Sequence, residues 1–378
     1  LKWVQKMVNR LLAAGGQLKT RTTAFGLYDG GVAGLIERQT DHLANKPKNI
    51  PREVFHIVRA DALLLATGAS DRGIAFGDND RPGVMSASSV QSYIHRFGVA
   101  PGKRILFAGT HDGIYENAFA AHDAGLHITI LDSRPQPSEA LKDECARRDI
   151  PLFASTVPVK AVGRTGVVGL EYGDKNGDEI TSSGKVIACD IIAVSGGYTP
   201  NIQLISHRGV KPVWDDEIHG FLSMLSNESI ALCGGAAGYY LDDMAMASAS
   251  AAWREITGKK KAEQSALVKG WASKADALFE VKIANRKLAS FIDPQHDVTT
   301  ADIRQAKQEG FISVEHMKRY TTLGMATDQG RNGNVIGIAA MAEARKISIP
   351  EVGITTFRPP FTPVSIGALA GRYSGAHW

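Results

Sequence analysis

RILFAGTHDGIYENAFAAHDAGLHITILDSR, residues 104–134, sets an apolar strand, a glycine turn, a helix, a second apolar strand and a terminal acid in order, which makes one βαβ unit. Its turn, Gly109 to Gly113, departs from the G-x-G-x-x-G fingerprint because His111 stands where bare backbone should meet a pyrophosphate. Asp132 stands about where an acid would hold a ribose, and Arg134 is placed to pair with a phosphate. The side chain at the close-approach position nevertheless favours a structural Rossmann unit without a dinucleotide.

Outward from this unit the chain alternates strands and glycine turns. DALLLATGA (61–69), IACDIIAVSGGYTPN (187–201) and SIALCGGAAG (229–238) each read as a buried strand ending in small residues, and the three suggest one sheet presenting its loops on one edge. Small residues at such ends let backbone N–H groups and helix starts approach a phosphate-bearing ligand, and equally allow tight packing with no ligand. LKTRTTAFGLYD (18–29) and GVAGLIERQ (31–39) form a hairpin about Asp29-Gly30-Gly31, and REVFHIVRA (52–60) follows as a further β run. Short strands and turns fill 156–195, with one turn at Gly173–Gly177. From about residue 262 the texture becomes helical, with Thr299 as an N-cap three residues before Asp302. The tail VGITTFRPPFTPVSIGALAG (352–371) reads as an extended strap or linker.

The order of these elements resembles the two-dinucleotide-fold flavoprotein reductases. The fold class is therefore α/β, a two-dinucleotide-binding-domain, Rossmann-type fold with a helical C-terminal module. Residues 1–98 and 185–258 make the first dinucleotide domain, 99–184 the inserted second one, 259–350 the helical module and 351–378 the linker.

Composition removes several classes of function. With 378 residues, 44% apolar and 22% charged, the chain is an ordinary globular one, and a net charge of +4 is too small and too scattered for a nucleic-acid footprint. The GKKK run at 258–261 reads as a solvated helix end. No apolar run is long enough to span a membrane. Cys145, Cys189 and Cys233 fit neither a metal-ligand spacing nor a C-x-x-C redox pair, so a reducing cytoplasm is the expected location. No catalytic or metal-ligand set is assigned: His111, His122 and His127 read as surface histidines, and Asp242-Asp243 complements a helix dipole. The helix in LKWVQKMVNRLLAAGG (1–16) starts without an N-cap, from which a fragment is inferred.

The stretch HMKRYTTLGMATDQGRNGN (316–334) reads like half of a metal-cluster module stripped of cysteine. Related modules in opine oxidase α subunits hold a 2Fe–2S cluster through C-x-C-E-D-V-T and G-M-x-x-C-Q-G-R-x-C segments. Here DPQHDVT and GMATDQGRNG put Asp293, Gln295, Asp328 and Gly333 at the ligand places. FIDPQHDVTTADI, KRYTTLGMATDQG and EVGITTFRPPFTPVSIGALAG, with TRTTAFGLYD, LLLATGAS, NDRPGVM and CDIIAVSGGYTPN, closely resemble the α subunits of heterotetrameric sarcosine oxidases over nearly the whole chain. Against that family, a first βαβ unit is expected before Leu1 and a folate-binding aminomethyltransferase-like domain after Trp378.

The resemblance implies NAD held noncovalently in this subunit, FAD in a β subunit where the amine is oxidised, FMN at the α/β boundary, and tetrahydrofolate in the further domain. It implies smaller partner subunits as well, and no oxidase activity for this chain alone. On that mapping Ala24 lies against adenine, while Thr67, Gly68, Gly235, Ala236, Leu241 and Asp243 line the nucleotide; a hydroxyl residue would be expected at position 243. Lys318, Arg319, Thr321 and Thr322 place two cations and two hydroxyls within five residues, suited either to the FMN phosphate or to capping a helix C-terminus. Two readings stand beside this one: the α subunit of an opine, proline or other secondary-amine dehydrogenase, and a non-catalytic scaffold with a vestigial nucleotide site.

Overall fold

The computed structural model describes residues 2–209, 211–224, 229–258 and 267–371, so most of the GKKK run lies outside the described residues. The chain divides into two compact units, one running to Leu63 and resumed from Phe357, the other spanning Leu64–Thr356.

In the first unit the strands Thr22–Tyr28, Val32–Arg38 and Glu53–Arg59 form an antiparallel sheet in chain order. The hairpin turn depends on glycine: Gly31 has φ 68°, and a Cβ there would lie 2.2 Å from the Ala60 carbonyl oxygen. Phe25, Leu27 and Ile36 are buried on this sheet. The tail is tied to the same sheet, because Phe361 N–H donates to the Phe25 carbonyl at 3.0 Å and the Ser365 hydroxyl to Glu53 at 2.5 Å. Its last part is the short helix Ile366–Ala370, where an extended strap was expected. The helix Lys2–Ala13 buries none of its residues; Trp3, Val4, Leu11 and Leu12 all face solvent.

The second unit is built on a five-stranded parallel sheet in the order Val84–Ser86, Ile191–Ser195, Arg104–Gly109, His127–Asp132, Leu152–Phe153. Period two along Arg104–Gly109 feeds both faces. Leu106 and Ala108 pack with Val157, Val159 and Leu170, whereas Ile105 and Phe107 pack with Ile114, Tyr115 and Ala118 of the helix Gly113–Asp123. Each of the larger buried side chains among them, such as Leu106, Phe107 and Ile114, contributes about 1.5–3 kcal/mol, so the βαβ register is strongly fixed. The strands Thr156–Gly163, Val167–Asn176 and Glu179–Ala188 make a separate antiparallel sheet, longer than expected, with Gly173 inside a strand and the turn at Gly177.

Two expectations are corrected. The three alike strand ends do not share a sheet: Ile191–Ser195 belongs to the five-stranded sheet, whereas among the described residues Ile230–Leu232 pairs only with the three-residue strand Leu63–Leu65. That isolated pairing leaves Leu63, Leu64 and Leu65 only half-buried. The described residues 267–299 contain no helix. They run as an extended band over the second unit, with Ala75 N–H donating to Phe279 O (2.9 Å), Val281 N–H to Ala75 O (2.8 Å) and Asp78 N–H to Ala289 O (2.8 Å). Helices begin at Thr300, where Thr299 and Asp302 form a capping box, and Thr300–Gln308, Val314–Thr321 and Asn334–Arg345 enclose a core of Ile303, Met317, Leu323, Ile338 and Met341.

Candidate functional site

Two of the expected nucleotide loops meet. Gly68 has φ 70° and open space where a side chain would be, and Gly235 lies so close to it that a Cβ would come within 3.0 Å of Ala69 N and 3.1 Å of Gly68 C. Asn201 clasps the first loop: its N–H donates to Gly68 O (2.9 Å), its amide to Thr67 O (3.1 Å), and its carbonyl accepts the Thr67 hydroxyl (2.6 Å). The Thr67 hydroxyl is thus engaged within the protein, while Gly68 leaves bare backbone accessible. Ala236 is fully buried in a turn of 3-10 helix, Gly234–Ala237.

Leu241 is the N-cap residue of the helix Asp242–Ile256 and supplies no side-chain cap, so the first-turn N–H groups lack that partner. Asp242 and Asp243 are exposed in that turn. Their carboxylates oppose a phosphate and suit hydroxyl donors, so this corner fits the ribose of a nucleotide better than its pyrophosphate. Ala24, half-buried in the strand Thr22–Tyr28, belongs to the other unit.

The glycine turn of the βαβ unit is closed by the chain itself. Trp271 stacks on the His111 ring (4.8 Å between centroids, 17°), and its indole lies where a Cβ on Gly113 would be, 2.4 Å from Cη2. Ser273 N–H donates to Asp112 (2.9 Å) and Asp276 N–H to Thr110 O (2.9 Å), which fastens residues 271–276 across the turn. Arg134 spends its guanidinium on Asp132 and Asp112, each at 2.7 Å, and the Tyr115 hydroxyl donates to Asp132 at 2.8 Å. Neither the ribose acid nor the phosphate cation offered by the sequence is free, because they neutralise each other.

His111 is completely buried, which corrects its reading as a surface residue; His127 is exposed and His122 half-buried. Gly113 N–H donates to His111 Nδ1 (3.1 Å), so the neutral ring carries its proton on Nε2, 2.7 Å from Ser195 Oγ. Burial pushes the His111 pKa down to about 3, with the nearby Arg134 and Arg72 charges acting in the same direction. The sequence pattern marked His111 as a departure from the glycine fingerprint but not as buried, since a polar residue in a glycine turn ordinarily faces water.

In the cysteine-less module, hydrogen bonds join the two segments that a cluster would join. The buried Asp293 carboxylate accepts Gly324 N–H (3.2 Å) and Gln295 N–H (3.0 Å). Asp328 folds back on its own loop by accepting Gly330 N–H at 3.1 Å. Among the described residues no group of three or more His, Cys, Asp or Glu side chains is placed to hold a metal ion.

Nearby, Lys318 and Arg319 occupy the last turn of Val314–Thr321, and the Thr321 hydroxyl caps that turn by donating to Met317 O at 2.8 Å. Thr322 takes the left-handed conformation that ends the helix, with φ 63°. Arg319 meets Glu315 loosely at 3.8 Å with both side chains exposed, a contact worth about 0–1 kcal/mol. The capping geometry therefore accounts for Thr321 and leaves the two cations largely uncommitted.

Residues 16–255 match the pyridine nucleotide-disulphide oxidoreductase family, and residues 287–372 match the sarcosine oxidase A3 domain. The sarcosine oxidase subunit alpha of Rhizobium meliloti (strain 1021) is 36% identical over 96% of this chain, and that of Corynebacterium sp. (strain U-96) 34% identical over 99%. The chain spans 36% and 40% of those relatives' lengths, well under half of each. The crystal structure of L-proline dehydrogenase from P. horikoshii shares the fold with a TM-score of 0.66 at 18% identity, covering 97% of this chain and 68% of that one.

Proposed function

We propose, for a chain that belongs to the pyridine nucleotide-disulphide oxidoreductase family and is a homologue of sarcosine oxidase alpha subunits, that it is the nucleotide-holding part of a sarcosine oxidase-like complex. The observation that carries this reading is the family match over 16–255 followed in the same chain by the sarcosine oxidase A3 match. In the proposed complex sarcosine is oxidised to glycine, its two electrons reduce oxygen to hydrogen peroxide, and the methyl carbon is captured on tetrahydrofolate. FAD in a β subunit, FMN at the subunit boundary and folate in a further domain supply the redox and one-carbon chemistry. This chain contributes NAD binding and the surface that meets FMN, and carries no catalytic residue of its own; the assembly is assigned to the cytoplasm.

The residues at the paired loops fit such a role in part. Gly68 presents open backbone, and Asp243 accepts a ribose hydroxyl from the helix start; Thr67, Gly235, Ala236 and Leu241 shape the loops around them. Ala24 is assigned to adenine on the family resemblance alone. The alternative of an opine, proline or other secondary-amine dehydrogenase subunit is disfavoured by the thiolate-free module, whose ligand places hold Asp293, Gln295, Asp328 and Gly333. Equilibrium titration with NAD tests the nucleotide assignment and separates it from the vestigial-scaffold reading. Asp243→Ala should weaken binding roughly 10- to 100-fold, the worth of a hydrogen bond to a charged group. Unchanged affinity in that variant, or no saturable binding of NAD by the intact subunit, would sink it.

The FMN contact is assigned to Lys318 and Arg319, with Thr321 and Thr322 shaping the turn beside them. A phosphate draws on both cations, and the loose Glu315 contact is readily exchanged for it. In the assembled complex, the double change of Lys318 and Arg319 to alanine should leave FAD reduction by the amine intact and lower FMN content or electron transfer to oxygen. Full FMN content with unchanged oxygen turnover would reduce the segment to a helix cap.

A further inference from the structure

The short strand Ala69–Asp71 continues directly from the Gly68 loop and forms one wall of a cavity of about 610 Å³. Ala69 belongs to both places, because its N is the atom that a Cβ on Gly235 would approach within 3.0 Å. The cavity opens at the carboxyl ends of two neighbouring parallel strands, Val84–Ser86 and Ile191–Ser195, whose paired residues Ser86 and Val194 both line it. Crevices outside such strand ends are where open α/β sheets take their ligands. Two parts of the chain that match different families enclose it. Residues 69–89 and Val194 come from the first, and Phe291, Pro294, Asn332 and Ile336 from the cysteine-less module.

Hydrogen bonds fix both sides. The Asn79 amide donates to Phe291 O at 2.8 Å and its carbonyl accepts Phe291 N–H at 2.7 Å, which fastens the module to the wall. The two Asp71 carboxylate oxygens accept Ser88 N–H at 2.7 Å and the Ser195 hydroxyl at 2.8 Å, so Asp71 ties the helix Ala87–Phe97 to the strand end and is not spare for a ligand. No lysine, arginine or histidine lines the cavity, so a phosphate would find no charge-assisted partner there. Ile74, Phe76, Val84, Val194 and Ile336 give it apolar faces, Ser86 and Ser89 hydroxyls, and the exposed Asn332 an amide at its mouth. A flat ring bearing a carboxamide matches that combination, its faces against the apolar walls and its amide against the polar groups. In NAD that group is the nicotinamide.

We propose, resting on the nucleotide-holding role given above, that this cavity takes the nicotinamide end of NAD and that the cysteine-less module is its far wall, with Asn332 at the carboxamide. The module is then part of the nucleotide site. Calorimetric titration of the intact subunit with NAD and with ADP-ribose, which lacks the nicotinamide, separates the two halves of the ligand. NAD should bind at least about tenfold more tightly, by the worth of burying the ring. Asn332→Ala should shrink that preference about three- to tenfold, and Ser89→Phe, which fills the cavity, should abolish it. Saturable binding of both nucleotides with equal affinity would overturn the cavity assignment and leave the nucleotide role standing, whereas binding of neither would overturn both. A preference that survives either substitution unchanged overturns the proposal. Should Ser89→Phe fail to fold, Asn332→Ala, at an exposed position, decides it.

Discussion

Asp132→Ala should lower the unfolding free energy by about 3–5 kcal/mol, the cost of removing one partner from a buried ion pair. Asp132 has no exposed surface, and Arg134 gives it main-chain and guanidinium bonds while Tyr115 gives it a hydroxyl. Without it the buried Arg134 keeps only Asp112, and the Tyr115 hydroxyl loses its acceptor. Urea unfolding measures the loss, and a further exchange of Arg134 for methionine should recover part of it by removing the stranded charge. A loss below about 1 kcal/mol would mean that the pair is solvated in a way its burial does not indicate.

Trp271→Ala is the second large effect, about 3–5 kcal/mol by the usual cost of emptying an aromatic site in a core. The indole is 9% exposed and contacts His111, Tyr198 and Tyr240 at centroid distances of 4.8, 5.1 and 5.4 Å. Denaturant unfolding with near-ultraviolet circular dichroism follows the loss, because the aromatic cluster is chiral only while it is packed. The same variant tests the closed glycine turn. NAD affinity should stay unchanged, since Asp132 and Arg134 still occupy each other after the indole is gone. A variant as stable as the parent, or one that binds NAD more tightly, would show that residues 271–276 are a removable cover over a working site.

The βαβ unit was legible because its signals are local: an apolar run, a glycine turn and a helix period, all within residues 104–134. The hairpin at Gly30-Gly31 and the cap at Thr299 were legible for the same reason, each resting on a few neighbouring residues. What escaped the sequence was long-range. Strand ends that look alike carry no record of which strand they pair with, so Ile191–Ser195 and Ile230–Leu232 were placed in one sheet and occupy two. The band 267–290 has no period to announce it, as its order comes from partners some two hundred residues away, such as Ala75 with Phe279. Asp71, His111 and Ser195 are likewise scattered along the chain, and only the fold brings them into one line. Of the loops expected to hold a nucleotide, Gly68 and Gly235 lie close together as small residues allow, whereas the acidic start of the helix Asp242–Ile256 weakens the phosphate half of that reading.

The carboxylate of Asp293 reaching across to Gly324 also bears on how the protein is made. A tie between a side chain and a main-chain amide is complete when translation ends, whereas a cluster must be delivered by dedicated assembly proteins. The chain's three cysteines all lie before residue 234, so residues 287–371 offer no thiolate to a cluster. On the reading that no cluster forms here, the yield of this chain should be unchanged under iron starvation, which expression with and without an iron chelator measures.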